Sequence, residues 1–425
     1  MQRTRLSYLI LFTAMVYVFF TLNAMYIQFS FFKILRWGFP ILFIFIMFFE
    51  GRMAPPFITL YFVFLGIIPS VVLSPNIVTS GEKFISILLV IYGCYDFFYC
   101  MDYEKDMNRV VILISIVSLL FLILNTVFIY RSDSGRALGI LTNANTLGVY
   151  SNVSLICSIY CYYKVQLSTK RFKYLFLLTS ILSIVLTVLS QSRGAFAGMF
   201  VIIMAFLFII VKSKAARWLF IVVSLALLIV FFSVDFSNSS ISVLKRFSES
   251  GFNRGEMWDN GIKAFLEHPI FGCGFQMSYL YNEVEAGFFM ILHNSYLSFL
   301  ADCGIWGVVL LGIPFILSFA YFAYNIFTKI IKVTSELVFM LLILIAILIS
   351  AYSESFLLSL GSTEGFLFWC VYAWVMAYIK KDRFRQLVPD NGNIQFGDFI
   401  KYRRAILGTN GKVHIVDNNN NQTNK

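Results

Sequence analysis

The sequence predicts an all-α, polytopic integral membrane protein of about 12 transmembrane helices with one large extracytoplasmic loop. Two observations carry this. Of 425 residues, 59% are hydrophobic and only 13% charged, about half the charged fraction of a typical soluble domain. The apolar residues also come in runs of roughly 17 to 22, the length a helix needs to cross a hydrocarbon core about 30 Å thick. Lipid offers no hydrogen bonds to the backbone, so a run of this kind has to satisfy its own amides and carbonyls as a helix.

In chain order the runs place spans at 6–26, 37–49, 57–73, 84–100, 110–129, 147–163, 174–190, 194–211, 218–234, 297–326, 336–352 and 365–379. The first is too long for a secretory leader and lacks a small-x-small cleavage site, so it is expected to be retained. The span 297–326 is long for one crossing, and Gly307, Gly312 and Pro314 offer places for a tilt or kink. Residues 1–234 are thus expected to hold helices 1–9 and 235–296 the extracytoplasmic loop with short amphipathic helices. Residues 297–380 hold helices 10–12, and 381–425 a basic, partly disordered cytoplasmic tail.

Charge sets the orientation. Fourteen Lys and Arg crowd the short loops on the side of the N-terminus, ten are spread over the much longer opposite loops, and nine lie in the tail. The dense side is cytoplasmic by the positive-inside rule, which puts both termini in the cytoplasm. The net charge of +11 therefore reflects membrane anchoring, and no nucleic-acid partner is expected. The seven cysteines include no C-x-x-C pair. Most lie in apolar runs as small core residues; Cys273 and Cys303 lie near the outer face, where a disulfide between them is open.

The residues that suggest chemistry lie on the outer side. Arg136, Arg193 and Arg254 sit at membrane edges where topology does not require them. An arginine deep in the bilayer costs about 2.5–3.5 kcal/mol, so such residues are functional candidates. A guanidinium fork suits bidentate contact with phosphate or diphosphate; the alternative is an ion pair with a carboxylate such as Glu354 or Glu364. Residues 253–268 read as a short amphipathic helix with Trp258, Ile262, Phe265 and Leu266 on one face, ended by Pro269. That face can lie on the membrane surface, cap a cavity, or simply pack. His293 precedes the span that starts near Leu297, where Asn294 or Ser295 can cap the helix. An imidazole so placed suits a general base acting on a sugar hydroxyl; an interfacial polar histidine is the alternative. Gly194 and Gly198 form a G-x-x-x-G that lets a neighbouring helix approach closely. Metal-binding and nucleotide-binding motifs are absent, so neither metal nor cofactor is expected, and the donor should be lipid-linked.

Together these stretches resemble the O-antigen ligase/polymerase family of bacterial envelope glycosyltransferases. The matching segments are RALGILTNANTLG at 136–148, SQSRGAFAG at 190–198, RGEMWDNGIKAFLEHPIFGCGF at 254–275 and HNSYLSFLADCGIWG at 293–307. YSESFLLSLGSTEGFLFW at 352–369 fits more loosely. The resemblance implies glycan transfer from a polyprenyl diphosphate at the outer face of the bacterial inner membrane. His293, Arg254 and Arg193 would be the catalytic residues, with His293 as base. Arg136, Arg193, Arg254, Asn294 and Trp258 would bind substrate. The expected partners are an undecaprenyl-diphosphate-linked oligosaccharide, the bilayer, and a chain-length regulator and flippase. A polysaccharide (O-antigen or capsule) polymerase is favoured. A ligase acting on lipid A–core or protein, and a lipid-linked oligosaccharide transporter, are the alternatives.

Overall fold

The computed structural model of the chain describes residues 58–100, 116–129, 135–164, 170–210, 254–327 and 335–387, with short gaps inside these ranges and a few isolated positions outside them. The expected spans at 6–26, 37–49 and 218–234 lie almost wholly outside the described residues, as does most of the tail. Contacts divide the chain into two units, Met1–Lys381 and Asp382–Lys425, and the first holds the helical body.

The helices in chain order are α1 (Ile58–Val72), α2 (Ile77–Cys100), α3 (Ile116–Val127), α4 (Ala144–Lys164), α5 (Lys170–Ser190), α6 (Arg193–Ile210), α7 (Arg254–Glu267), α8 (Ser295–Phe327), α9 (Ser335–Ala351) and α10 (Thr363–Leu387). Among the described residues, Ile77–Phe98, Lys173–Ser190 and Ser295–Ser318 are long and apolar enough to cross a membrane, and α1, α3, α6 and α9 are shorter apolar helices. Large apolar side chains remain exposed along the outside of the bundle, including Tyr61, Leu65, Tyr174, Ile181 and Ile316. An apolar exterior of that kind suits lipid rather than water. The chain is a helical membrane protein. Within this helical architecture β1 (Glu283–Glu285) and β2 (Phe288–Phe289) form a short two-stranded antiparallel ribbon between α7 and α8.

Two groups of helices form the body. α4, α5, α6 and α9 pack together, and α1 packs on α2 and α8. Small residues allow the first group its close contacts. A Cβ on Gly148 would run into Ala195 Cβ, one on Gly194 would lie 2.5 Å from Ser353 Oγ, and one on Gly198 2.9 Å from Asn152 Nδ2. The G-x-x-x-G thus faces α9 and α4 as the spacing predicts. An aromatic layer closes the core where Phe98 stacks on Trp374 at 4.9 Å and Phe315 meets Tyr372 at 4.7 Å.

α8 breaks at Gly304 (φ 63°), three residues before the first of the positions that the sequence offers for a kink. The break has a partner. In an unbroken helix the amides of Ile305 and Trp306 would bond to the carbonyls of Ala301 and Asp302. Instead the segment after α7 takes both sides: Ile305 N donates to Pro269 O (2.9 Å) and Trp306 N to Ile270 O (3.0 Å), while Cys273 N and Gly274 N donate to the carbonyls of Ala301 (2.9 Å) and Asp302 (3.3 Å). The loop therefore replaces the missing helical bonds, and Gly304 supplies the left-handed backbone that the break requires. The Asp302 carboxylate adds bonds from Met277 N (3.0 Å) and Ser278 N (2.8 Å). Cys273 and Cys303 are both free and buried, so they do not form the disulfide. Burial pushes the Cys273 thiol up to about 12, which leaves it protonated and unreactive at neutral pH.

α7 starts and stops where the sequence predicts, but its buried face differs. Met257, Gly261 and Ala264 face the protein, with Gly261 against Leu292 and Leu297, while Ile262 and Leu266 are exposed. Gly261 lets α7 lie close to the start of α8, so the helix turns its smallest residues inward.

Candidate functional site

The starts of α4, α6, α8 and α10 and the ends of α5 and α9 meet at one end of the bundle. The end of α4 at Lys164 and the start of α5 at Lys170 lie at the other. Nearly all the polar chemistry gathers at the first end.

His293 lies immediately before α8 with φ 49°, a left-handed conformation that costs a residue with a Cβ about 1–2 kcal/mol. It is held there from both sides. Asn294 Oδ1 accepts from Tyr296 N (3.0 Å) and Leu297 N (3.1 Å), so Asn294 is the cap. Its own N–H donates to Ser355 Oγ (2.9 Å). Ser295, the other capping candidate, turns its hydroxyl to the α9–α10 connection instead: it donates to Glu354 O (2.5 Å) and accepts from Phe356 N (2.9 Å) and Leu357 N (3.2 Å). Two segments about sixty residues apart are thereby sewn together.

The product of that arrangement is a histidine–carboxylate pair. His293 Nδ1 lies 3.1 Å from Glu354 Oε2, and the histidine side chain is 23% exposed against 10% for the glutamate. A carboxylate can only accept, so the shared proton belongs to Nδ1 and the lone pair is left on Nε2. The other carboxylate oxygen, Oε1, accepts from Asn145 Nδ2. Asn145 Oδ1 in turn accepts from Arg136 Nη2 (2.5 Å), and Arg136 Nε donates to Ser190 O (3.0 Å). Asn145 is presented by the start of α4, where Asn143 Oδ1 accepts from Asn145 N (2.8 Å). The two asparagines of Asn143-Ala144-Asn145 thus divide the work: one caps the helix and the next reaches into the site. A second buried carboxylate, Glu364 at the start of α10, bonds Thr146 and lies within electrostatic range of Glu354.

The remaining residues singled out by the sequence fall around this chain. Arg193 is the first residue of α6, after Ser192, whose carbonyl accepts from Phe196 N (2.8 Å). Its neighbour Gly194 packs on Ser350 and Ser353, next to Glu354. Arg254 is the first residue of α7, and its side chain lies outside the described residues. One turn on, Trp258 meets Tyr352 edge-to-face at 5.5 Å. Tyr352 is 58% exposed, and the buried Trp258 Nε1 has no hydrogen-bond partner among the described residues. His268 bonds Tyr281 Oη at 2.8 Å, apart from these groups. Below Ser295 and Tyr296 an apolar cavity of about 380 Å³ runs between α8, α9 and α10, lined by Phe299, Leu311, Phe315, Leu348 and Trp369 among others.

Sequence reasoning assigns no role in the site's chemistry to Glu354, Asn145 or the Ser295–Ser355 connection. In the sequence Glu354 figures only as a carboxylate available to an arginine; the structure adds bonds to His293 and Asn145. The available signal is the polar cluster Tyr352-Ser353-Glu354-Ser355 between two apolar spans.

A helical membrane protein with an imidazole–carboxylate pair at one end of its bundle is the class these features define. Residues 178–312, roughly a third of the chain, match the family model described as O-antigen ligase. Over that stretch the chain is similar to the O-antigen ligase/polymerase family, whose members are membrane enzymes of the glycosyltransferase type. The matched stretch contains Arg193, Arg254, Trp258, His293 and Asn294. No curated protein matches the chain.

Proposed function

We propose that the chain is a polysaccharide polymerase. It transfers a glycan from a polyprenyl diphosphate to a sugar hydroxyl of another lipid-linked repeat unit, at the outer face of the inner (plasma) membrane, with both termini in the cytoplasm. The observation that carries the reading is the 3.1 Å contact of His293 Nδ1 with Glu354 Oε2, with His293 inside the stretch that is similar to a glycosyltransferase-type family.

In the mechanism, His293 Nε2 takes the proton of the acceptor hydroxyl while that oxygen bonds to the anomeric carbon of the donor. The bond from the anomeric carbon to the diphosphate oxygen breaks, and the diphosphate leaves with the electron pair. A single displacement of this kind inverts the anomeric configuration. Glu354 fixes the tautomer and stabilises the imidazolium that forms. Arg193 and Arg254 answer the charge that grows on the leaving diphosphate, in the role a metal ion plays elsewhere. The apolar cavity below Ser295 suits the isoprenoid chain, since Ser295, two residues after His293, lines it and the rest of its lining is almost wholly apolar. Trp258 and Tyr352 offer aromatic surface to a sugar. A chain-length regulator and a flippase fit as partners of such an enzyme.

The description of the matched family as O-antigen ligase supports a second reading, in which the same site uses lipid A–core or protein as acceptor. The test is the purified full chain in lipid nanodiscs with a lipid-linked repeat unit. A ladder of lengthened glycans supports the polymerase, transfer only to an added lipid A–core acceptor supports the ligase, and undiminished turnover in His293→Asn rejects both.

A further inference from the structure

Asn145 joins the guanidinium of Arg136 to the carboxylate of Glu354, and its chemistry fits that place closely. A guanidinium can only donate and a carboxylate can only accept. A side chain that bridges them must accept at one end and donate at the other. The amide of Asn145 does both: its oxygen receives Arg136 Nη2 at 2.5 Å and its nitrogen donates to Glu354 Oε1. The orientation of the amide follows from these two partners alone.

We propose that Asn145 is a positioning residue for His293, acting through Glu354, with Arg136 as its anchor. The inference rests on the reading of His293 as the base and deepens it. Three features carry it. First, a carboxylate held only by His293 can rotate about its last bond and exchange oxygens, whereas a donor on Oε1 fixes which oxygen meets the imidazole. Second, Asn145 is fixed at its own end by the cap that Asn143 places on its backbone N–H (2.8 Å). Third, Arg136 spends Nε on Ser190 O and Nη2 on Asn145, so these two donors point into the protein. The run Arg136–Asn145–Glu354–His293 therefore connects the end of α5, the start of α4, the α9–α10 connection and the start of α8. Of these residues Arg136, Asn145 and Glu354 lie outside the stretch matched to the family, 178–312.

The role predicts a kinetic signature that separates it from direct donor binding. Asn145→Ala, and the equal-sized Asn145→Asp, which puts a carboxylate against Glu354, lower kcat by about tenfold or more, the usual effect of removing a group that orients a functional side chain. KM for the lipid-linked donor stays unchanged, because Asn145 does not touch it. An activity-independent readout comes from ¹⁵N-histidine labelling of the full chain in nanodiscs. The protein has three histidines, and His293→Asn identifies the signal of His293. In the wild type that signal reports a proton held on Nδ1; in the Asn145 variants it shifts toward a mixture of tautomers. Unchanged His293 signals in folded Asn145→Asp, or a raised KM with kcat unaltered, overturn the inference. If Asn145→Ala does not fold, the Asp variant and the histidine spectrum decide alone. Retained turnover in His293→Asn would instead remove the base reading, while the spectrum still decides whether Asn145 orients the imidazole.

Discussion

The hydroxyl of Ser295 donates to the carbonyl of Glu354 at 2.5 Å, although 59 residues separate them. The same oxygen receives the amides of Phe356 and Leu357. One buried side chain thus determines where the α9–α10 connection meets the start of α8, and with it whether Glu354 reaches His293. Ser295→Ala leaves those buried backbone groups without partners, at a cost of about 1–3 kcal/mol for each that water does not reach. The expected result is a drop of about 2–4 kcal/mol in stability by that reckoning, read as a lower unfolding temperature in nanodiscs, together with a loss of turnover larger than the fraction unfolded explains.

His293 occupies a left-handed backbone position, which asparagine tolerates better than alanine does. His293→Asn is therefore expected to fold with a thermal stability near that of the wild type while losing the base and about 10²–10⁴-fold in kcat. His293→Ala is expected to be less stable than His293→Asn by roughly 1 kcal/mol, the order of the left-handed penalty. Thermal unfolding of both variants beside a transfer assay checks the pair. Equal stabilities would remove the strain argument, and active His293→Asn the catalytic one.

Glu354→Gln keeps the size of the side chain and removes its charge. The amide then faces the Asn145 Nδ2 donor or the His293 Nδ1–H with a donor of its own, so one of the two bonds is lost. The expected loss in kcat is about tenfold to a hundredfold, the range for removing an outer partner of a functional histidine, with binding of the lipid-linked donor nearly unchanged. Donor binding measured separately from turnover distinguishes this from a glutamate that contacts the diphosphate.

How much of this is legible in the sequence depends on how local its cause is. The start of α7 and its end near Pro269, the cap at Asn294 and the close approach at Gly194 and Gly198 each follow from residues within a turn or two. The partnership of His293 with Glu354 spans 61 residues and has no periodic signature. The break falls at Gly304 (φ 63°), where a loop supplies hydrogen bonds from outside the helix; the glycine is visible in the sequence, but nothing local distinguishes it from Gly307, Gly312 and Pro314. The inward face of α7 is hidden for a related reason. Close packing on α8 selects the small Gly261 and Ala264 there, whereas a hydrophobicity count selects Ile262 and Leu266, which are exposed.

The proposed arginine clamp predicts that charge alone does not suffice. Lysine keeps the charge of Arg193 or Arg254 but offers a point donor in place of a planar fork. Arg193→Lys and Arg254→Lys are expected to weaken the hold on the diphosphate by about one charge-assisted hydrogen bond, roughly 1.5–3 kcal/mol or about tenfold and more in kcat/KM. Inorganic diphosphate added as a competitor should inhibit both variants less than the wild type, since they bind it less tightly too. Wild-type kcat/KM in both lysine variants would show that neither arginine holds the leaving group.

The glycines of α6 and α7 provide a contrast within one experiment. Gly194 faces Ser353 and Ser350, where a new Cβ would approach to 2.5 Å and 3.1 Å. Gly194→Ala must push α6 off α9, and overpacking of that kind costs about 1–3 kcal/mol. Because Arg193 and Glu354 lie beside the two contact points, the shift also separates the proposed clamp from the base, and turnover should fall even in the folded fraction. Gly255 has nothing within 4 Å of its Cβ position and sits in the first turn of α7. Gly255→Ala therefore meets no neighbour and gains helix propensity of up to about 1 kcal/mol, with stability equal to or above the wild type. Measured side by side in nanodiscs, a fall in unfolding temperature for Gly194→Ala with none for Gly255→Ala ties the loss to the α6–α9 contact. Equal behaviour of the two would mean that α6 has room to spare, and that the placement of Arg193 does not depend on Gly194.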